Sequence, residues 1–117
     1  MYEVVFYTTR RGDSPIDKFL DGLRKKARAK IEALIAFLEQ QGPNLRRPYA
    51  DRVRRKMNEL RVVFAGDQFR ILYFFFVRNM VVLLHGFTKK TQKLKESDIK
   101  IAEDRREDWV SRYGEGG

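Results

Sequence analysis

The chain has 117 residues, enough for one hydrophobic core and one domain spanning residues 1–117. It carries 25 Lys and Arg against 16 Asp and Glu, and the net charge of +9 favours a polyanionic partner, nucleic acid before a membrane surface or an acidic protein. The absence of cysteine excludes disulfides and thiol chemistry, and a single histidine excludes a histidine-rich metal cluster. The longest apolar run, at 71–77, is too short to span a bilayer, and no apolar run follows the first methionine as in a secretory signal. We therefore expect a cytoplasmic protein without metal, cofactor or membrane partner.

The first part of the chain predicts a strand followed by two helices. Residues 2–8 are rich in β-branched and aromatic side chains, as in a strand. Ser14-Pro15 predicts a helix start, with Ser as the N-cap and Pro at the first helical position, and this helix should end near Gly22. A second helix is predicted for residues 24–41, because four apolar residues recur there at helical spacing: Ile31, Leu34, Ile35 and Leu38.

The second part predicts three strands and a closing helix. Residues 45–56 are unusually basic, with Asp51 as the single acid, and predict a loop with a short helical or extended piece. The strands are joined by short turns and are predicted at residues 57–64, 68–77 and 80–87. A polar loop at 89–94 and a helix at 96–113 follow, and the chain ends in a frayed tail at 114–117.

Isolated cations interrupt the apolar pattern of the three strands. A cation on a strand is costly unless its face meets water or an anion, and phosphate is the anion that the net charge favours. A two-residue turn at Gly66-Asp67 would place Arg61 opposite Leu72. Arg61 and Arg70 would then be diagonal neighbours on one face, about 7–8 Å apart at the backbone. A three-residue loop would instead send the two arginines to opposite faces.

The next hairpin is expected to place Arg70 opposite Phe87, so that His85 and Lys89 continue the same face. Phe74, Phe76, Phe87 and Leu72 would give that face an apolar floor, a surface that suits stacked bases and phosphates. The other face should lie under the helices, and it collects Leu60, Val62, Phe64, Phe69, Ile71, Tyr73, Phe75, Val77, Val82 and Leu84.

The same residues allow a purely structural interpretation. Glu59 shares the face of Arg61 and could pair with it, while Arg70 could meet solvent at a sheet edge. His85 lies in an apolar strand, where a hydrogen-bonded structural histidine is an alternative to a catalytic one. Phe87 could equally be a core residue.

Three sequence elements occur in a characteristic order. They are Glu59-Leu60-Arg61, then Phe-Arg-Ile-Leu-Tyr at 69–73, then Leu-Leu-His-Gly-Phe-Thr-Lys-Lys-Thr-Gln-Lys at 83–93. Together with a closing helix that bears Ile99, Ala102 and Arg105, they resemble the RelE/ParE superfamily of bacterial toxin–antitoxin toxins, and most of all its HigB-like, phage-related branch. One departure is Leu94-Lys95, where that branch usually has a proline before the last helix.

The resemblance implies an α+β, RelE-like fold: an N-terminal strand and a helical hairpin, then antiparallel strands, with the helices on one sheet face and a C-terminal helix. It also implies an mRNA endoribonuclease that acts on ribosome-bound messenger and is paired with an antitoxin, commonly a helix-turn-helix protein. The superfamily includes ParE-type gyrase poisons, although the Lys-Lys string favours the ribonuclease side. A non-catalytic basic module that binds nucleic acid or the ribosome also fits, because no catalytic triad or metal set demands chemistry.

Metal-independent RNA cleavage by a 2′-hydroxyl needs a base, an acid and cations that stabilise the charge developing on phosphate. Arg61 and Arg70 are predicted charge stabilisers, because guanidinium binds phosphate bidentately and stays protonated. Lys89 is the predicted acid or base, since nearby cations lower a lysine pKa, and His85 is a further candidate because its ordinary pKa suits proton transfer. Contacts to RNA are predicted for Arg54, Arg55, Lys56, Phe87, Lys90 and Lys93.

Overall fold

The computed structural model describes residues 1–91 and 93–114, so the predicted tail lies, from residue 115 on, outside the described residues. The elements in chain order are β1 (Glu3–Phe6), α1 (Pro15–Asp21), α2 (Lys25–Gln41), one 3-10 turn (Gly42–Asn44), β2 (Ala50–Arg54), β3 (Met57–Phe64), β4 (Asp67–Phe75), β5 (Met80–Lys89) and α3 (Glu96–Tyr113). The α+β class and the predicted order of elements are confirmed. Among the described residues, no helix combines the length and the apolar character that crossing a bilayer requires.

The five strands form one mixed sheet in the order β1-β5-β4-β3-β2. β1 runs parallel to β5, and the other neighbours are antiparallel. β2 is an edge strand in the basic segment that the sequence predicts as mainly loop. An arginine-rich strand is tolerated at an edge, where charged side chains reach water and discourage pairing with other chains. The pairing of β2 with β3 ends at Leu60. One more hydrogen bond joins the Arg61 N–H to the Tyr49 carbonyl. Beyond it, within the part of the chain that the structure describes, the second half of β3 has no neighbouring strand on the β2 side.

The turn between β3 and β4 is Ala65-Gly66 rather than Gly66-Asp67. Its two residues have φ values of 52° and 83°, as a type I′ turn requires. Arg61 therefore lies directly opposite Arg70, not opposite Leu72. The partner of Arg61 shifts by two positions, which preserves the face, so the two arginines share one side of the sheet as predicted.

A bulge in β5 changes which side chains share a face. Leu72 is opposite His85 but Tyr73 is opposite Leu83, so Leu84 is an extra residue. The expectation that Val82 and Leu84 share a face with Leu60 and Ile71 is therefore wrong, because the extra residue turns this part of β5 to the other face of the sheet.

Helices cover both faces of the sheet. Side chains of α1 and α2 pack on one face, where the buried sheet residues include Leu60, Val62, Phe69, Ile71, Tyr73, Val81 and Leu83. On the other face, Ala102 and Trp109 of α3 pack against Leu72, Phe74, Val82 and Leu84. The fold therefore differs in one detail from the expectation that the helices lie on one face. The apolar floor expected to stack bases is, at Leu72 and Phe74, the buried core beneath α3.

Candidate functional site

Nine side chains of β3, β4 and β5 form a three-by-three grid on the face that α3 partly covers. Its rows across the three strands are Glu59, Leu72 and His85; Arg61, Arg70 and Phe87; and Val63, Gln68 and Lys89. The grid brings the four predicted catalytic residues to one face: Arg61, Arg70, His85 and Lys89. Asp98 and Arg105 of α3 contact the row of His85, whereas Arg61 and Lys89 remain partly exposed.

Glu59 is the acidic residue of the grid. Its Oε2 accepts a hydrogen bond of 2.8 Å from Nη1 of Arg61, and its Oε1 lies 3.3 Å from Nε of Arg70. Buried charges are costly unless they are paired, so this carboxylate holds both guanidinium groups in the sheet. The Arg61–Glu59 pairing of the structural interpretation is present. The proposed solvated edge for Arg70 is wrong, since β4 is the central strand and this side chain is 1% exposed.

Arg70 is fixed from three sides inside the sheet. Besides the contact with Glu59, it donates to the Phe69 carbonyl and to Oε1 of Gln68, each at 3.0 Å. Burial lowers the pKa of Arg70, and the positive charge of Arg61 lowers it further, while Glu59 opposes the change. The guanidinium nevertheless stays protonated near neutral pH. Because it is buried, Arg70 can influence a bound ligand only through its neighbours and its charge.

Lys89 occupies the open corner of the grid. Burial lowers the pKa of Lys89 most, the charge of Arg70 lowers it further, and Arg61 and Arg47 act in the same direction, while Glu59 opposes them. The predicted direction of this shift is therefore correct, although burial contributes more than any single neighbouring cation does. A lysine with a lowered pKa exchanges its proton more readily near neutral pH.

His85 is bound on both ring nitrogens. Nε2 lies 2.8 Å from Oδ1 of Asp98, and Nδ1 lies 3.5 Å from Nη1 of Arg105. The Phe87 ring stacks on the imidazole with centroids 5.1 Å apart. Burial lowers the pKa of His85, and the hydrogen bond to Asp98 opposes it. These contacts match the structural alternative of a hydrogen-bonded histidine, and they join α3 to the sheet.

Comparison with known proteins places these elements in a family. Residues 18–107 match the model described as "Phage derived protein Gp49-like (DUF891)". The chain belongs to this Gp49-like family. It is also 32% identical over 108 residues to "Putative toxin HigB3" of Mycobacterium tuberculosis (strain ATCC 25618 / H37Rv), covering 87% of this chain and 93% of that protein. The resemblance to the HigB-like branch is thus confirmed: the chain is a HigB-like toxin of the toxin–antitoxin type, which implies a cognate antitoxin.

The remaining predicted RNA contacts lie in two places on this Gp49-like fold. Lys90 and Lys93 are exposed and line a hollow of about 210 Å³ next to Lys89, which we call the lysine hollow. Arg55 and Lys56 are exposed at the β2–β3 turn and line a different cavity.

Arg54 is tied to α3 instead. Its Nη2 donates to both carboxylate oxygens of Glu96, at 2.5 and 2.6 Å, and Nη1 lies 3.7 Å from Glu103. The structure brings neither Arg54 nor its two basic neighbours into the grid.

Several contacts at the site have no signal in the sequence of this HigB-like chain. The ion pair between Glu59 and Arg70 depends on the strand register, and the contacts of Asp98 and Arg105 depend on where α3 docks. Within residues 1–91 and 93–114, no group of three or more acidic or histidine side chains is placed to hold a metal ion.

Proposed function

We propose that this HigB-like toxin is an endoribonuclease that cleaves ribosome-bound messenger RNA in the cytoplasm. The 2′-hydroxyl attacks the adjacent phosphate, which yields a 2′,3′-cyclic phosphate and a 5′-hydroxyl. The observation that carries this proposal is the position of Arg61, held by a buried carboxylate and sharing the open part of the grid with Lys89. A fixed cation near a proton carrier is the minimum that this reaction requires.

Arg61 stabilises the charge that develops on the phosphate. Its Nη1 is bound to Glu59, but guanidinium has five N–H donors, and the side chain is 23% exposed. The bond to Glu59 fixes the guanidinium before RNA binds, so little reorganisation accompanies the reaction. Arg70 is too buried to contact RNA. We assign it as a positioning residue, because it contacts the Glu59 carboxylate that binds Arg61.

Lys89 supplies the proton for the leaving 5′-oxygen, and the 2′-hydroxyl proton passes to solvent. Its lowered pKa makes the ammonium a stronger acid than an exposed lysine. His85 has both ring nitrogens engaged, so we assign it to holding α3 and Phe87 in place rather than to proton transfer.

The lysine hollow binds the phosphate backbone beyond the cleaved linkage. Lys90 and Lys93 are joined there by Lys95, which gives three flexible ammonium groups along one side of Lys89. Such contacts position RNA without reading its sequence. Arg55 and Lys56 form a second basic surface that suits ribosomal RNA, and the antitoxin is proposed to be a helix-turn-helix protein.

Expression of the parent chain and of Arg61→Ala in a bacterial host tests this function. The parent should arrest growth, and primer extension should show breaks within translated codons, whereas a folded Arg61→Ala should do neither. Intact messenger together with DNA damage would instead indicate a gyrase poison. Growth arrest with both RNA and DNA intact would indicate a non-catalytic ribosome-binding module.

A further inference from the structure

A larger cavity opens on the other side of Arg61, where β2 leaves the edge of β3 uncovered. It has a volume of about 1000 Å³ and lies between α2, the segment before β2, and the second half of β3. Most of its lining is apolar. Arg61 and Arg70, which belong to the grid, also line it. We call it the α2–β3 groove.

Exposed hydrophobic side chains are concentrated in this groove. Of the six large hydrophobic residues exposed among those that the structure describes, three line it: Phe37, Tyr49 and Val63, at 36%, 47% and 55% exposure. Phe37 and Tyr49 meet edge to face, with centroids 5.4 Å apart and planes at 89°. In this arrangement one ring meets the other with its edge, so its own two faces are not used in the contact. Exposed apolar side chains clustered in a concave surface are typical of ligand-binding grooves.

The charges of the groove favour a polyanion. Its lining cations are Lys30, Arg47, Arg61 and Arg70. Asp51 pairs with Arg47, and Glu59 pairs with both Arg61 and Arg70, so two acids offset part of this charge and the balance stays positive. A ligand with flat apolar faces and a negative backbone matches such a surface, and single-stranded RNA has both. A polypeptide would need an unusually acidic segment to match it equally well.

The groove is continuous with the proposed cleavage site. Arg61 belongs to both the groove and the cleavage site. The lysine hollow begins at Lys89 on β5, the far strand of the grid. A strand of RNA with its scissile phosphate at Arg61 would therefore have the groove on one side and the lysines on the other.

From this arrangement we propose that the α2–β3 groove binds the nucleobases next to the scissile linkage, which stack on Tyr49 and Phe37. The inference rests on the proposed ribonuclease function and adds the site that holds the bases. Because stacking tolerates every base, the contact should contribute affinity with little sequence preference.

Binding of a fluorescein-labelled single-stranded RNA of twelve nucleotides, with 2′-O-methyl groups that prevent cleavage, tests the proposal by fluorescence anisotropy. Tyr49→Ser should weaken binding about tenfold, whereas Tyr49→Phe, which keeps the ring, should bind within about twofold of the parent. Ile101→Ser removes a side chain with the same exposure as Phe37 from α3 and serves as the matched control, with unchanged affinity. Abasic nucleotides placed one by one along the RNA should weaken binding to the parent at one or two positions, and should have no such effect on Tyr49→Ser.

The outcomes separate this proposal from the proposed function. Parent-like RNA affinity in both Tyr49→Ser and Phe37→Ala would overturn the base site, even if the parent cleaves messenger. If these variants keep RNA affinity and a co-expressed antitoxin no longer neutralises them, the base site is also overturned. The groove would then be a protein-binding surface. No RNA binding by the parent would also overturn it. Ring-dependent binding without any cleavage would support the base site and contradict the nuclease activity.

Discussion

The Oε1 atom of Glu59 lies 3.3 Å from Nε of Arg70, and the two side chains are only 7% and 1% exposed. The same carboxylate binds the partly exposed Arg61 through its other oxygen. One buried acid thus links a cation inside the sheet to a cation at its surface. This link explains how strand cations that look costly in the sequence are accommodated, and it makes Glu59 a determinant of the site's electrostatics.

Glu59→Gln is expected to shift the pH dependence of RNA cleavage. Glu59 raises the pKa of Lys89 against the effects of burial and of the neighbouring arginines, so loss of its charge should lower that pKa further. If Lys89 acts as the proton donor, activity falls as pH rises through its pKa, and this falling limb should move to lower pH. Rates of RNA cleavage measured across pH for the parent and the variant give the result.

Glu103→Gln is the matched control, because this glutamate is also close to an arginine but lies on α3 near Arg54. Its pH profile should coincide with that of the parent. An unchanged falling limb in a folded Glu59→Gln would show that Lys89 is not the group that titrates.

Arg61→Ala and Arg70→Ala should separate catalysis from stability. Arg70 is buried in the central strand, so its removal should lower the free energy of unfolding by about 3–5 kcal/mol through a cavity and a broken ion pair. Arg61 is partly exposed, so its removal should cost about 1 kcal/mol or less while cleavage falls about 10²–10³-fold. Urea unfolding and cleavage rates measured on the same preparations test both statements. Comparable loss of stability in the two variants would contradict the assignment of Arg70 as the buried partner.

The sequence predicts the elements of this fold better than their pairing. Amphipathic patterns locate α2 and three strands within a few residues, because helix and strand periodicities are local properties. The sequence does not reveal β2, because an edge strand needs no alternation of apolar residues. Its arginine-rich sequence is also typical of a loop. The β5 bulge has no local signature either, although it decides which face Val82 and Leu84 occupy.

The candidate site is predicted to the same limited degree. Side-chain alternation places Arg61, Arg70, His85 and Lys89 on one face even with the turn misplaced by one residue, since the partner shifts by two positions. Burial of Arg70 and the binding of His85 by α3 are tertiary facts, so sequence alone leaves both side chains available for chemistry.

The stability of the protein should fall in mild acid because of His85. Its pKa is lowered in the folded state, so the unfolded chain binds a proton more readily, and folding favours the neutral imidazole. The contribution is therefore fully present above the unfolded pKa and is lost as pH falls through the folded one, below about pH 6.5. Melting temperatures of the parent should drop more steeply between about pH 7 and pH 5 than those of His85→Gln, which lacks the titrating ring. Parallel curves for the two proteins would exclude His85 as the cause.

Lys90→Ala and Arg54→Ala should differ in their effect on RNA affinity at varied salt. Lys90 is exposed in the lysine hollow, so its removal should weaken binding of the 2′-O-methyl RNA and reduce the slope of log affinity against log salt by about 0.7. Arg54 is already paired with Glu96 and Glu103, so Arg54→Ala should leave the slope unchanged and lower the free energy of unfolding by about 0.5–1 kcal/mol. Fluorescence anisotropy titrations at several salt concentrations measure both slopes. A reduced slope in Arg54→Ala would mean that RNA displaces Glu96 and Glu103 from Arg54. The RNA would then also pass along β2, next to the second basic surface of Arg55 and Lys56.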